Sequence, residues 1–144
     1  MDKIIGIVQP TYMPWIPFFE RMAISDIFVY LDDVEYSKNS FHNRNTIKSP
    51  NGRQLLTVPV LYKGYSNTFM KDILINNNYG WKRKHLNTIQ QCYSKAEYYS
   101  EYIDVLEKLY ANPAEKLFDI VMPIIYFLKK ELRIETPCYL SSEI

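Results

Sequence analysis

The sequence predicts an α/β fold. It opens with a βαβ unit and a mostly parallel sheet, continues with a β-hairpin near 45–60, and ends in a helical C-terminal half. Three observations carry this. The run Lys3 to Val8 is apolar nearly throughout and does not alternate, which suits a strand covered on both faces of a parallel sheet. Ile27-Phe28-Val29-Tyr30-Leu31 is a second β-branched and aromatic run, separated from the first by one helix-length segment. Beyond residue 80, apolar residues recur at helical spacing.

The first strand empties into Gln9-Pro10-Thr11-Tyr12-Met13-Pro14-Trp15-Ile16-Pro17. Pro10 and Pro14 forbid further ladder pairing and an immediate helix. Phe18 to Ala23 is the first stretch free to be helical, with Pro17 suited to its first turn and Ser25-Asp26 ending it. If the two strands run parallel they end on one edge, placing Gln9 near Asp32 and Asp33. Open α/β sheets bind ligands outside that edge.

Glu35 to Asn45 reads as a long polar and aromatic loop. Asn45 to Lys48 and Gln54 to Val60 flank Ser49-Pro50-Asn51-Gly52, and an Asn-Gly pair between two such runs predicts a hairpin. Tyr62 to Phe69 reads as a loop, and Lys71 to Ile75 as a short edge strand. Trp81 to Tyr93 places Trp81, His85, Ile89 and Cys92 on one helical face, and Ala96 to Tyr110 repeats the pattern. Asn112-Pro113-Ala114-Glu115 has the form of an N-cap with proline at N1 and a box-type glutamate, opening a central core helix to about Leu132. Thr136 to Leu140 starts a further strand. With no repeat or linker, residues 1–144 read as one domain.

A formal net charge of +1 gives no reason to expect nucleic acid or an anionic membrane as partner. Cys92 and Cys138 fit no metal or redox spacing and read as free thiols of a reducing compartment. The longest apolar run is broken by Pro123 and is too short for membrane insertion. A cytoplasmic protein is the expectation. The 13 tyrosines suit half-buried grooves and interfaces, a homo-oligomeric one included, although a compositional bias explains them equally well.

The chemistry-bearing residues fall into two groups. In the first, prolines 10, 14 and 17 delete backbone donors, so the loop is a poor phosphate cradle. It suits a rigid wall in which Tyr12 and Trp15 stack on a sugar or base and Gln9 exchanges hydrogen bonds. Asp32, with Asp33 beside it, could act as a general base or hold Mg²⁺ together with substrate phosphates. Alternation points neighbouring strand residues to opposite faces, which argues against a chelating pair. The alternative is that the aromatics plug the sheet edge and the carboxylates cap a loop. In the second group, Asn43, Arg44 and Lys48 offer an amide, a planar fork and a point charge for an anionic or nucleotide-linked small molecule. Ordinary surface charge is the alternative there, and His42 reads as an exposed loop histidine, with an acid or base role as its alternative. Lys82-Arg83-Lys84 opens a helix against its macrodipole and reads as a solvated basic cluster, with anion binding as the alternative, and His85 reads as a satisfied core histidine rather than a ligand. No zinc spacing, Walker loop or nucleophile elbow is present.

Taken together, Gln9-Pro10-x-Tyr12-x-Pro14-Trp15, Asp26-x-Phe28-Val29-x-Leu31-Asp32-Asp33-Val34, Asn43-Arg44-Asn45-x-Ile47-Lys48, Leu56 to Val60, Trp81, Tyr93 with Ala96, and Ser141-Ser142-Glu143 resemble the WbqC-like family in order and over nearly the whole chain. Pro17, Glu35 and Leu55 depart from the expected glycine, glutamine and aromatic. Relatives typically continue past a segment like Ser141 to Glu143, so the resemblance implies a shortened form or a fragment. It also implies a role in bacterial surface polysaccharide (O-antigen, lipopolysaccharide) or sugar modification, as a transferase. A non-catalytic accessory module and an inactive shortened paralogue are the alternatives.

Overall fold

The structure is a computed structural model and describes residues 2–61 and 67–144. Its parallel sheet has the order β1(Ile5–Val8), β2(Ile27–Tyr30), β5(Cys138–Leu140), with α1(Ile16–Ala23) crossing from β1 to β2. Between β2 and β5 come the antiparallel hairpin β3(Arg44–Ser49) and β4(Gly52–Thr57) and the helices α2(Trp81–Tyr93), α3(Tyr99–Ala111) and α4(Phe118–Glu131). The fold is α/β with the predicted βαβ opening.

In the parallel register, Gly6, Phe28 and Cys138 share one face, and Ile7, Val29 and Tyr139 share the other. Phe28 and Tyr30 meet Phe18 of α1, and Tyr30 also meets Tyr126 of α4, so both helices cover the same face. Gly6 permits this close packing. A Cβ there would stand 2.5 Å from Ser25 Oγ and 2.7 Å from Phe28 Cδ2, inside contact distance. The expectation that β1 is covered on both faces is therefore corrected: Ile5 and Ile7 stay more than half exposed. The cause is topological. The chain winds in one direction only, β1 to β2 to β5, and right-handed crossovers that never reverse direction put every helix on one side.

The hairpin forms where expected, but Ser49 pairs with Gly52, so its turn is Pro50-Asn51 rather than Asn51-Gly52. Proline supplies the first turn dihedral, and Gly52 takes the positive φ of 113° that resumes the strand. The helix expected from Asn112 begins only at Phe118. Glu115 to Leu117 instead lie alongside residues 73–75, with Ile75 N–H donating to Glu115 O (2.7 Å) and Leu117 N–H to Ile73 O (2.9 Å). These long-range bonds outcompete the local capping pattern. Lys71 to Ile75 is correspondingly no continuous strand: Met70–Asp72 is a 3₁₀ turn, and Leu74 and Ile75 make single bridges to Lys116 and Val60. The loop read over Tyr62 to Phe69 falls largely outside the described residues.

As expected, α4 is central, burying Ile120, Val121, Met122, Ile124 and Ile125. Pro123 within it has no N–H for the Asp119 carbonyl, which accepts from Asn112 Nδ2 at 3.4 Å instead. No helix among the described residues is long and apolar enough to cross a membrane.

Candidate functional site

Where β1 ends, Gln9 is half-buried and its Oε1 accepts from His42 Nε2 at 2.5 Å. His42 is buried rather than exposed, correcting the reading of it as a loop histidine. It stands 5.6 Å from the Tyr36 ring, and its Nδ1 is buried without a partner. Burial holds its pKa below the ordinary histidine value. The contact fixes Gln9 with its carbonyl toward His42 and its amide nitrogen turned away.

The loop beyond divides in two. Tyr12 is fully buried. Its hydroxyl donates to His85 Nδ1 at 2.8 Å and meets the Tyr110 hydroxyl, while His85 Nε2 donates to Thr57 O at 3.0 Å. Burial pushes His85 down to about 4, against a smaller opposing effect of the Thr57 carbonyl, so this imidazole is neutral. The reading of His85 as a satisfied core histidine stands. Burial likewise raises the Tyr12 and Tyr110 hydroxyls well above the ordinary tyrosine value. Tyr12 N–H also bonds the carbonyls of Phe41 and His42, so this half of the loop is anchored in the core.

Met13 then turns the chain with a left-handed φ of 45°, a conformation that costs a non-glycine residue about 1 kcal/mol. Asn45 Nδ2 holds it by donating to Met13 O at 2.7 Å. The turn throws Trp15 outward, 69% exposed, at the N-cap of α1. Trp15 lines a cleft of about 520 Å³ together with Val8, Thr11, Arg21, Phe41 and Arg53, with Asn45 and Thr46 at its hairpin wall. Two guanidiniums and two exposed aromatic rings thus share one concavity at the carboxyl end of β1.

Where β2 ends, Asp32 is 1% exposed and covered by the turn that follows β5. Its Oδ1 accepts from Ser141 Oγ and from Ser142 N–H, each at 3.0 Å, and its Oδ2 accepts from Ser142 Oγ at 2.6 Å. Burial pushes its pKa up, but the hydrogen bonds from Ser142 and Ser141 together outweigh it and leave the carboxyl below its ordinary value. Asp33 Oδ1 meets the same Ser141 hydroxyl. The opposite-face premise of strand alternation does not reach this pair. β2 stops at Tyr30, and beyond it the chain is free to aim both carboxylates at one hydroxyl. Mg²⁺ at Asp32 would have to displace the serine donors, and no group of three or more metal-ligating side chains converges among the described residues. No described hydrogen bond engages Asp33 Oδ2, which leaves it the more available oxygen.

Of the predicted residues only Trp15 lines the cleft of Arg21 and Arg53; Gln9, Tyr12, Asp32 and Asp33 are not among its walls, and the rest lie elsewhere. Asn43 is buried and clamps Val58, donating from Nδ2 to its carbonyl at 2.9 Å. The Arg44 guanidinium donates to Asn39 O. Lys48 is exposed on the hairpin, its backbone N–H donating to Tyr93 Oη at 3.1 Å. Lys82 of the basic cluster is tied to Asn112 O, which brings the connector to the start of α2.

Arg21, Arg53 and Phe41 were not singled out from the sequence, because only tertiary packing brings α1, the 35–45 loop and the hairpin to one cleft. Ser141 and Ser142 carried a visible signal, the Ser-Ser-Glu segment. Their clamp on Asp32 required knowing that β5 pairs beside β2.

The profile of the WbqC-like protein family matches residues 9–144. Uncharacterized protein Rv1507c of Mycobacterium tuberculosis is 36% identical over 108 residues, which is 75% of this chain and 46% of that protein. The chain thus spans about half the length of the curated relative it matches. No solved structure matches. A match over nearly the whole chain, with the Gln9 to Trp15 loop and the Asp32-Ser141-Ser142 clamp inside it, carries the conclusion that the chain belongs to the WbqC-like protein family.

Proposed function

We propose that this chain is a single-domain, cytoplasmic, transferase-type enzyme of bacterial surface-polysaccharide or sugar-modification biosynthesis, acting on a nucleotide-activated or otherwise anionic substrate. One observation carries the reading: the cleft that pairs Arg21 and Arg53 with Trp15 and Phe41 at the carboxyl end of β1. Guanidiniums suit phosphate and carboxylate oxygens, and exposed rings suit the faces of sugars and bases. Gln9, oriented by His42, adds an amide donor at the same strand end.

In this reading Asp32 stays ionised under its serine clamp and holds the two strand ends together. Asp33 has an oxygen to spare and takes the proton of an incoming hydroxyl or amine. The placement matches the rule that α/β sheets bind ligands beyond their carboxyl edge.

Calorimetric titration with nucleoside diphosphates and nucleotide sugars tests it. Binding should weaken roughly tenfold or more in Arg21→Ala and Arg53→Ala, and Asp33→Asn should bind normally but abolish turnover. If no such compound binds the folded protein, the proposal fails.

A second reading, a non-catalytic accessory module, draws on a different feature. Met13, Ile47, Ile89, Tyr93, Tyr98 and Tyr102 line an apolar pocket of about 330 Å³ against α2 and α3. Binding of a polysaccharide-assembly protein that Tyr98→Ala abolishes, without any nucleotide affinity, would favour it.

A further inference from the structure

Neighbouring residues of β3 line different cavities. Thr46 lines the cleft of Trp15, Arg21 and Arg53, whereas Ile47 lines the apolar pocket against α2 and α3, as strand alternation requires. The hairpin is therefore a wall between two sites, and the transferase reading uses only one of them. The other, at about 330 Å³, has the size of a small-molecule pocket.

Part of its wall is aliphatic, with Met13, Ile47, Ile89 and Leu106, and much of the rest is Tyr93, Tyr98, Tyr99 and Tyr102. Almost no polar atom lines it, so the tyrosines contribute ring carbons and turn their hydroxyls elsewhere. Two of those hydroxyls are held in place. Tyr93 Oη accepts from the Lys48 N–H at 3.1 Å, and Tyr102 Oη donates to Glu131 Oε2 at 3.1 Å. Tyr102 packs on Phe127, and among the described residues the four rings make no contact with one another. They border the space rather than fill it.

The charge at this pocket is negative. Among the described residues Glu97 is the only charged one in its wall, and it makes no ion pair. At Tyr102, the hydrogen bond to Glu131 and the charges of Glu131 and Glu101 raise the hydroxyl above the ordinary tyrosine value. Lys48 alternates away from Ile47, and neither it nor Lys95 belongs to the wall.

Aromatic faces attract a cation within about 6 Å, and a nearby carboxylate adds to the attraction. The wall has no acceptors for N–H groups, so a primary ammonium would lose its water without replacement. A quaternary ammonium has no N–H to satisfy, and its methyl groups suit an apolar wall. We propose that this pocket binds the trimethylammonium group of a small molecule of the choline class. The proposal does not depend on the transferase reading.

Calorimetric titration of the purified chain with choline and with tetramethylammonium tests it, against the uncharged analogue of choline in which carbon replaces nitrogen. Both cations should bind, and the analogue should bind roughly fivefold or more weakly. Tyr98→Leu and Glu97→Gln should each weaken choline binding several-fold, whereas Tyr98→Trp should retain it, tryptophan being the best ring for a cation. Both side chains are exposed, so circular dichroism should report an unchanged fold. Arg21→Ala, across the hairpin, should leave choline binding unchanged, which separates this site from the nucleotide cleft. Absence of binding by both cations would overturn the proposal. Equal binding of the uncharged analogue would make this a plain hydrocarbon pocket and overturn it too. So would choline binding that is indifferent to both Tyr98→Leu and Glu97→Gln, or that is lost in Arg21→Ala.

Discussion

Tyr12 and Trp15 stand three residues apart in one loop and meet opposite fates. Tyr12 is sealed in the core with its hydroxyl shared between His85 and Tyr110, whereas Trp15 stands in solvent beside two arginines. The residue that separates them is Met13, whose left-handed turn is held by Asn45. One loop thus does two jobs: its inner half fixes the position from which its outer half can present a ligand surface. Inner substitutions should act on stability and outer ones on binding.

The largest effect should come from Tyr12→Ala. Removing a fully buried ring and stranding the His85 and Tyr110 polar atoms should cost about 4 kcal/mol by denaturant unfolding. A loss below about 1 kcal/mol would break the contrast with Trp15.

Acid should act on the same inner knot. His85 is depressed to about 4 when folded and returns to the ordinary histidine value when unfolded. Between those values the unfolded chain binds more protons, so stability is full above the unfolded pKa and falls as pH drops toward the folded one. The loss should reach on the order of 3 kcal/mol. His42, also depressed by burial, adds a loss of the same sign. Asp32, held below its ordinary value, loses its contribution at still lower pH as it protonates. Unfolding curves collected from neutral to acid pH check this, and Tyr110→Phe, which leaves His85 in place, should retain the slope.

Asp32→Asn should be intermediate. An amide nitrogen would face the donors of Ser142, costing roughly 2 kcal/mol by thermal or chemical unfolding. Last, Trp15→Ala should change stability by less than about 0.5 kcal/mol, as exposed positions do, while weakening nucleotide-sugar binding in a titration. A large stability loss there would show that Trp15 is an anchor like Tyr12 and that the loop has no outer half.

Much of the fold was legible because local rules govern it. The prolines ended β1, the β-branched run at Ile27 made β2, and the spacing of Trp81, His85 and Ile89 made α2 as read. The failures share a cause. Asn112 to Glu115 has every mark of a helix start, yet Glu115 to Leu117 pair with 73–75, since backbone groups take whichever partner the rest of the fold brings. His42 reads as exposed because nothing near it in sequence shows that Gln9 and Tyr36 close over it. In the candidate site, Trp15, Gln9 and the two aspartates were visible as polar or aromatic residues at strand ends. Arg21 and Arg53 were not, because a lone arginine on a helix or hairpin is indistinguishable from surface charge until its neighbours are known.

The sequence by itself determined the α/β class, the βαβ opening, the stiff loop after β1 and family membership, all properties of residues close together or of ordered motifs. Tertiary structure alone decided that Tyr12 turns in while Trp15 turns out, that Ser141 and Ser142 clamp Asp32 from more than a hundred residues away, and that Ile5 and Ile7 of β1 stay exposed. Each depends on which strand lies beside which and on the direction in which the chain winds. Those choices are made by long-range pairing and burial, and short-range pattern does not encode them.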